Sequence, residues 1–352
     1  GYMYVQGILP SITLDDFDQR LEAWVTEENQ VLVIQGPEGE GVEHLSEAAS
    51  LAIFEQVAAA EIEPYEDEEL AESLVSEELA LAAITSTREL PEFDAVEWTL
   101  ENGATVVFRH ADYEKDQVQI RGYSKGGSSL YADDYVPTTD MLTSLVSFYG
   151  VGDFDATGLQ KMLTGKNVSL QLSLTSRSEG LNGTASPKDV EAMMQLLYLH
   201  FNHPRFDAEA HEAIVARYMA LVENMNNNPQ KIMGDSLNLI LTDYHPRSRV
   251  LDQEFLGEVD YEKIQEVYTD RFADASDFLF VIVGNMEQEE VKGLVQKYIG
   301  AIADLDRDEM WVDHQVYEPE GLVDKTIPVA LETPKANVNI VINQEMEYSP
   351  YN

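Results

Sequence analysis

The stretch from Val168 to Thr175 constrains this chain more than any other. Val168, Leu170, Leu172 and Leu174 alternate with Ser169, Gln171, Ser173 and Thr175. Strand side chains point to opposite faces with a period of two, so the pattern predicts a strand with one packed face and one polar, open face. Such a strand needs helices beneath it and partners beside it. Glu179 to Ala185 supplies the nearest partner across a short turn, again small and polar on one face.

The surrounding segments supply the rest of a domain. Val96, Trp98 and Leu100 alternate, Asn102-Gly103 provides a tight hairpin turn, and Thr105 to Arg109 returns. Val118, Ile120 and Gly122 carry the same period, which predicts a third strand pairing nearby. Helical spacing covers Thr138 to Tyr149 and, more briefly, Gly158 to Leu163. Ser186-Pro187-Lys188-Asp189 starts a helix with proline in its first turn, and Val190, Met193, Met194, Leu197, Tyr198 and Phe201 form its buried face. Pro204 ends it. Further helices are expected from Phe206-Asp207 through Met225, over Ile232 to Leu241 and over Tyr261 to Phe272. Phe278 to Val283 reads as an apolar strand closed by Gly284-Asn285, and Glu287 to Tyr298 as a last helix. This order predicts an α+β fold, a mostly antiparallel sheet with helices packed on one face.

Residues 93–305 are therefore read as one complete α/β domain, and the flanks as pieces of others. Residues 1–40 resemble the end of a preceding α/β domain. Thr13 with Asp16 suggests a helix cap, Leu14, Phe17, Leu21 and Trp24 a stripe, and Val31 to Ile34 a short buried strand before Gly36-Pro37. Residues 41–92 read as an acidic helical linker from Ser46 to Leu81, interrupted at Pro64, with Glu66 to Glu69 as a negative first turn of its next helix. An acidic interaction tail is the alternative. Residues 306–352 are expected to be a connector and the first strands of a following domain, Thr326 to Leu331 and Val338 to Ile342. Both ends look cut from a larger protein.

Charge narrows the function classes. The 22 basic and 65 acidic residues among 352 give a formal charge of -43. That field repels phosphate backbones, which argues against nucleic acid, and disfavours anionic membrane surfaces. A cationic or neutral peptide is the partner it permits. With no cysteine there is no disulfide, thiolate metal site or cysteine nucleophile. No apolar run is long enough for a membrane span. No signal peptide is evident, and Gly1 would explain that if it were left from tag removal.

No catalytic constellation assembles from spacing alone. His200 and His203 are the closest histidines, but Pro204 follows at once and no third ligand is near in sequence, so a helix-end cluster is the plainer reading than a zinc centre. His211-Glu212 lacks a second histidine at helical metalloprotease spacing. His44, His110, His245 and His314 are scattered through expected turns and connectors. Asp133-Asp134, and Asp153 with Asp155, could hold a hard cation or be solvated turn carboxylates. Gly126-Gly127 fits neither a dinucleotide turn nor a phosphate loop and suggests close backbone approach or a bulge, while Ser128 and Ser129 show no activating base. Asn182-Gly183-Thr184 matches a glycosylation acceptor on a predicted strand. The polar strand pair, Ser169 to Thr175 with Leu181 to Ala185, is the surface most suited to an extended peptide, with plain solvent exposure as the alternative.

Several ordered segments together resemble one family. They are Gly122-Tyr123-Ser124-Lys125-Gly126-Gly127-Ser128-Ser129-Leu130, the run from Asp155 to Lys166, Ser178-Glu179-Gly180-Leu181, Ala185-Ser186-Pro187-Lys188-Asp189-Val190-Glu191, and Asn202-His203-Pro204-Arg205-Phe206-Asp207. Their order resembles the C-terminal half of an M16 zinc peptidase, the pitrilysin and insulinase family, in its long bacterial form. The resemblance implies four related α/β domains in two halves enclosing a peptide. Zinc would lie in the first domain on an H-x-x-E-H helix and a distant glutamate. This chain would supply the end of the second domain, the linker, the third domain and the start of the fourth. The helix here that corresponds to the zinc helix, Thr138 to Tyr149, contains neither histidine nor glutamate. No catalytic, cofactor or metal residue is therefore assigned, and no peptide-contacting residue is named. The chain is expected to be inactive alone, helping to form and close the chamber. Its expected partners are the zinc-bearing N-terminal half, or a paired subunit, and a peptide substrate. A bacterial periplasm or envelope location follows from the resemblance only. The alternatives are a free-standing peptide-binding or assembly module and a hydrolase built from distant carboxylates and histidines.

Overall fold

A computed structural model describes residues 2–24, 31–36, 44–61, 71, 73–225, 228–329, 335–343 and 349. The chain divides into two compact units, Gly1–Glu68 and Glu69–Asn352.

In the first unit, helices α1 (Tyr2–Ile8), α2 (Leu14–Trp24) and α3 (Glu47–Ala59) are formed. The expected cap of α2 is present, since the Thr13 N–H and hydroxyl both donate to the Asp16 carboxylate at 2.8 Å. That bond holds Asp16 below the usual carboxylate range. Ser46 caps α3 by accepting from the Ala49 N–H at 3.2 Å. The stripe Leu14, Phe17, Leu21 and Trp24 lies on α2 but is exposed. Val31 to Ile34 forms no strand and is likewise exposed, with no strand partner among the described residues. Pro37, Pro64 and the expected acidic turn at Glu66 to Glu69 lie outside the described residues.

The second unit is built on a seven-stranded sheet, β1 (Ile84–Leu90), β2 (Ala95–Leu100), β3 (Thr105–His110), β4 (Val118–Lys125), β5 (Val168–Leu174), β6 (Ser178–Ala185) and β7 (Leu279–Gly284). Its order is β1-β2-β3-β7-β4-β6-β5. β3 and β7 run parallel, and the other neighbours run antiparallel. The predicted α+β architecture is thus formed, with two departures in this region. β1 was not expected, since Ile84 to Leu90 is exposed along most of its length and shows no alternation. The helical reading of the linker ends at Ala59, and residues 73–83 carry no helix. Instead Leu74 enters the core, and the Ser73 hydroxyl accepts from Gln195 at 3.0 Å. The strand expected at Val118 to Gly122 is formed as β4, which pairs with β6 and β7.

Helices α4 (Val136–Val146), α5 (Ala156–Met162), α6 (Val190–Asn202), α7 (Ala208–Met225), α8 (Pro229–Leu241), α9 (Gln253–Gly257), α10 (Tyr261–Arg271) and α11 (Gln288–Leu294) complete the unit. One face of the sheet presents Val96, Trp98, Val106, Phe108, Ile120, Leu181, Phe280 and Ile282 to them. Met141, Leu142 and Leu145 of α4, Met193, Met194 and Leu197 of α6, and Ile264 and Val267 of α10 fill the same core. Each such side chain contributes roughly 1.5–3 kcal/mol on burial. Gly183 allows α6 to approach, because a Cβ there would lie 2.7 Å from Ile120 and 3.0 Å from the Met193 sulfur. Beyond α11, residues 326–329 and 338–342 carry no strand, contrary to expectation, and Ala330 and Leu331 lie outside the described residues. No helix among the described residues is long and apolar enough to cross a membrane.

Candidate functional site

The other face of the sheet carries polar side chains on several strands. Register aligns its side chains in rows running from strand to strand. One row is Arg88, Glu97, Val107, Val281, Arg121, Asn182 and Gln171. A second is Thr99, Thr105, Leu279, Tyr123, Gly180 and Ser173. The predicted polar pair is on this face, with Ser169 and Thr184 sharing a hydroxyl hydrogen bond of 2.9 Å. Asn182, of the glycosylation-like triplet, is exposed in the same array.

β5 ends the sheet, and its alternation shows which backbone groups are free. Thr175 N–H donates to Ser178 and Ser186 N–H to Asn167, so the odd-numbered residues bond inward to β6. The N–H and C=O groups of Leu170 and Leu172 therefore point away from the sheet. Neither residue has a backbone partner on that side among the described residues. An extended peptide can add to such an edge.

The Gly126-Gly127 turn closes one end of this edge by the close backbone approach its sequence suggested. Gly126, Ser128 and Ser129 N–H groups donate to the carbonyls of Arg177, Thr175 and Ser176. Gly127, at φ +65, donates to the Glu179 carboxylate at 2.7 Å, and a Cβ there would meet Ser178 N and Thr175 O at 2.4 Å. A strap from the C-terminal connector lies over the turn. Val312 N–H donates to the Ser129 hydroxyl at 2.8 Å, His314 Nε2 donates to the Ser129 carbonyl at 2.7 Å, and Trp311 lies 4.2 Å from the Arg177 guanidinium. The Ser129 hydroxyl itself donates to Gly126 O at 2.7 Å, so it is engaged in structure rather than aimed at a base.

Beneath the turn is a buried charge network that sequence reasoning missed. The Arg271 guanidinium contacts Glu179 at 3.3 Å, Asp270 at 2.7 Å and Glu309 of the strap at 2.6 Å. Its Nε donates to the Tyr131 hydroxyl at 3.1 Å. Burial raises Glu179 to about 7 despite the Gly127 N–H and the guanidinium. Asp277 is also raised, first by burial. Glu179, Asp277 and Glu309 form a set of carboxylates close enough to share a cation. The set contains no histidine and Arg271 already ion-pairs two of its members, so it does not match a histidine-based zinc centre. Arg271 ends an amphipathic helix, where an arginine ordinarily signals solvent, and only tertiary packing buries it.

The histidines have separate partners. His200 Nδ1 lies 3.0 Å from the Tyr268 hydroxyl, and desolvation pushes the imidazole down to about 4. His203 Nε2 lies 3.1 Å from Glu77, which also accepts from Tyr198 at 2.7 Å. His211 pairs with the Tyr149 hydroxyl at 2.7 Å and is lowered by burial. His110 Nδ1 donates to Met286 O at 2.9 Å, and His245 Nδ1 accepts from Arg247 N–H at 3.1 Å. His44 lies against Gly36. The expected acid pairs are also divided. Asp133 bonds Arg247 at 3.0 Å, Asp134 bonds Lys263 at 2.6 Å, Asp155 caps α5 through Gly158 N–H at 2.7 Å, and Asp153 is exposed.

α4, which begins two residues before the predicted helix, contains no histidine and no glutamate. Asp140 is its single acid, and it is exposed. These residues do not fit the zinc helix of the resembled family.

No family model matches the chain. It is 27% identical over 242 residues to the "Zinc protease PQQL-like" of Arabidopsis thaliana, covering 68% of this chain and 23% of that protein. It is 20% identical over 347 residues to the "Probable zinc protease PqqL" of Haemophilus influenzae, covering 98% of this chain and 37% of that protein. The crystal structure of the periplasmic protease PqqL from Escherichia coli shares the fold, with a TM-score of 0.60 at 20% identity over 78% of this chain and 30% of that one. The chain spans well under half the length of these curated relatives. It is homologous, at low identity, to zinc peptidases of the M16, PqqL-like family.

Proposed function

We propose that this chain is a noncatalytic portion of an M16-like zinc peptidase that helps to form and close the peptide-binding chamber. Peptide-bond hydrolysis would belong to a zinc-bearing half outside these residues, and the location would be a bacterial periplasm or envelope, as for the Escherichia coli relative. The observation that carries this reading is α4, a well-packed helix that offers neither histidine nor glutamate and that the sequence resemblance matches to the family's zinc helix. The open sheet face and the unpaired edge of β5 support a role in holding an extended peptide. The chain's own contribution is positional: it would fix substrate against the active half and exclude water.

Elemental analysis of the purified chain after zinc loading and desalting, paired with hydrolysis of quenched fluorescent peptides, tests this. Substoichiometric zinc and no hydrolysis are expected. Stoichiometric zinc retained through desalting, together with cleavage, would overturn the reading and direct attention to a site within this chain.

A further inference from the structure

The chain is strongly acidic, but the open face of its sheet is not. Along β4 the outward side chains are Gln119, Arg121, Tyr123 and Lys125, all exposed. Two strands away, Arg109 of β3 joins them beside Val283. None of Arg109, Arg121 and Lys125 has an ion-pair partner among the described residues. Arg109 instead reaches the Tyr113 hydroxyl at 3.5 Å, and its Nε is buried without a partner. Elsewhere in the unit some cations sit on carboxylates, as in Lys231–Asp235, Arg249–Glu258, Lys263–Asp134 and Lys297–Glu191, while others, such as Lys115 and Arg217, have no ion pair among the described residues. On this same face Arg88 is paired with Glu97 at 2.7 Å. What sets Arg109, Arg121 and Lys125 apart is that all three share one sheet face, in a chain with 65 acidic and 22 basic residues.

Their spacing fits an extended chain. Same-face residues four apart on a strand are separated by about 13 Å, and strands two apart by about 10 Å. Arg121 and Lys125 are thus about 13 Å apart along β4, and Arg109 lies about 12 Å from Arg121 across β7. Val107, Val281 and Leu279 lie among them, half-buried or exposed. An extended chain advances about 3.3 Å per residue, so carboxylates four positions apart reach two cations while the residue between them rests on the aliphatic patch. The chain's overall negative charge is screened beyond about 8 Å at physiological salt, so the groups on the face decide what it holds.

We propose that the open sheet face binds an acidic polypeptide segment in extended conformation, its carboxylates on Arg109, Arg121 and Lys125 and an apolar side chain on Val281. This names a substrate class for the face and rests on the peptide-chamber reading. It also reverses the cationic or neutral partner that net charge alone suggests.

Fluorescence anisotropy with the whole 352-residue chain tests it. Three labelled peptides of equal length carry Asp, Asn or Lys at two positions four apart, with valine between. The Asp peptide is expected to bind at least about tenfold more tightly than the Asn peptide, a preference lost in Arg121→Gln/Lys125→Gln and kept in Arg88→Gln. Both mutated side chains are exposed, so unchanged circular dichroism should accompany the loss. Equal binding of the three peptides would overturn charge selection while leaving a peptide surface in place. Tighter binding of the Lys peptide would also overturn it. Binding of none would remove both the proposal and the peptide surface beneath it.

Discussion

Arg271 and Glu179 lie 3.3 Å apart with each side chain only 2% exposed. The same guanidinium carries Asp270 and Glu309, so local acid outnumbers local base. Removing one member of a buried pair leaves the other uncompensated, which costs more than the pair contributes. Arg271→Met is therefore expected to unfold the second unit or to lower its stability by about 3–5 kcal/mol, read from urea midpoints. A change below about 1 kcal/mol would show that the network is hydrated.

Glu179 gives this network a pH signature. Its carboxyl titrates at about 7 in the fold against 4.5 in the unfolded chain. The folded state holds the proton more tightly, so this contribution is complete below about pH 4.5 and is lost as pH rises through about 7. Glu179→Gln does not titrate. The unfolding free energy of wild type minus that of Glu179→Gln should fall between about pH 5 and about pH 7.5. A flat difference would place the carboxylate in water, and a rising one would mean that Arg271 holds it ionised.

His200 has the opposite sign. Its imidazole is lowered from 6.5 to about 4 by desolvation, so the fold excludes the proton that the unfolded chain accepts. That contribution is complete above about pH 6.5 and is lost as pH falls towards about 4. Wild type minus His200→Gln should therefore rise with pH across this window, measured with the same urea series. Finding the His200 resonances titrating near the free value by NMR would contradict it.

Gly127→Ala should cost on the order of 2 kcal/mol or more, because its Cβ would overlap backbone atoms at 2.4 Å as well as sit at φ +65. Gly165, at φ +79 with open space around it, separates the two effects. Gly165→Ala should cost only roughly 1–2 kcal/mol of backbone strain. Similar thermal shifts for the two variants would mean that the turn yields.

Trp311→Ala removes one contact of the strap, worth about 0.5–1 kcal/mol at an exposed site. Limited proteolysis should cut faster within residues 306–317, while the global unfolding midpoint moves little. Unchanged cleavage would show that His314 and Val312 hold the strap by themselves.

What the sequence made legible was local. β5, the Asn102-Gly103 hairpin and the buried face of α6 follow from periods and turn residues carried by neighbouring positions. What escaped was decided by distant partners. Ile84 to Leu90 becomes a strand because β2 lies beside it, whereas Val31 to Ile34, more apolar, has no strand partner among the described residues and forms none. Arg271 and Glu309 look like solvated charges until α10 and the strap meet over Glu179. The free cations of β4 were equally hidden, since a total charge cannot reveal which face keeps its few positive groups.

The position of β7 has a consequence for assembly. It is the last strand among the described residues yet lies between β3 and β4, bonded to both. Until it arrives, the earlier strands can form only two separate ribbons, β1-β2-β3 and β4-β6-β5, each with an unsatisfied edge. Joining them requires long-range contacts that are slow to form. During synthesis those edges stay open until residue 284 has emerged, and open strand edges are templates for pairing with other chains.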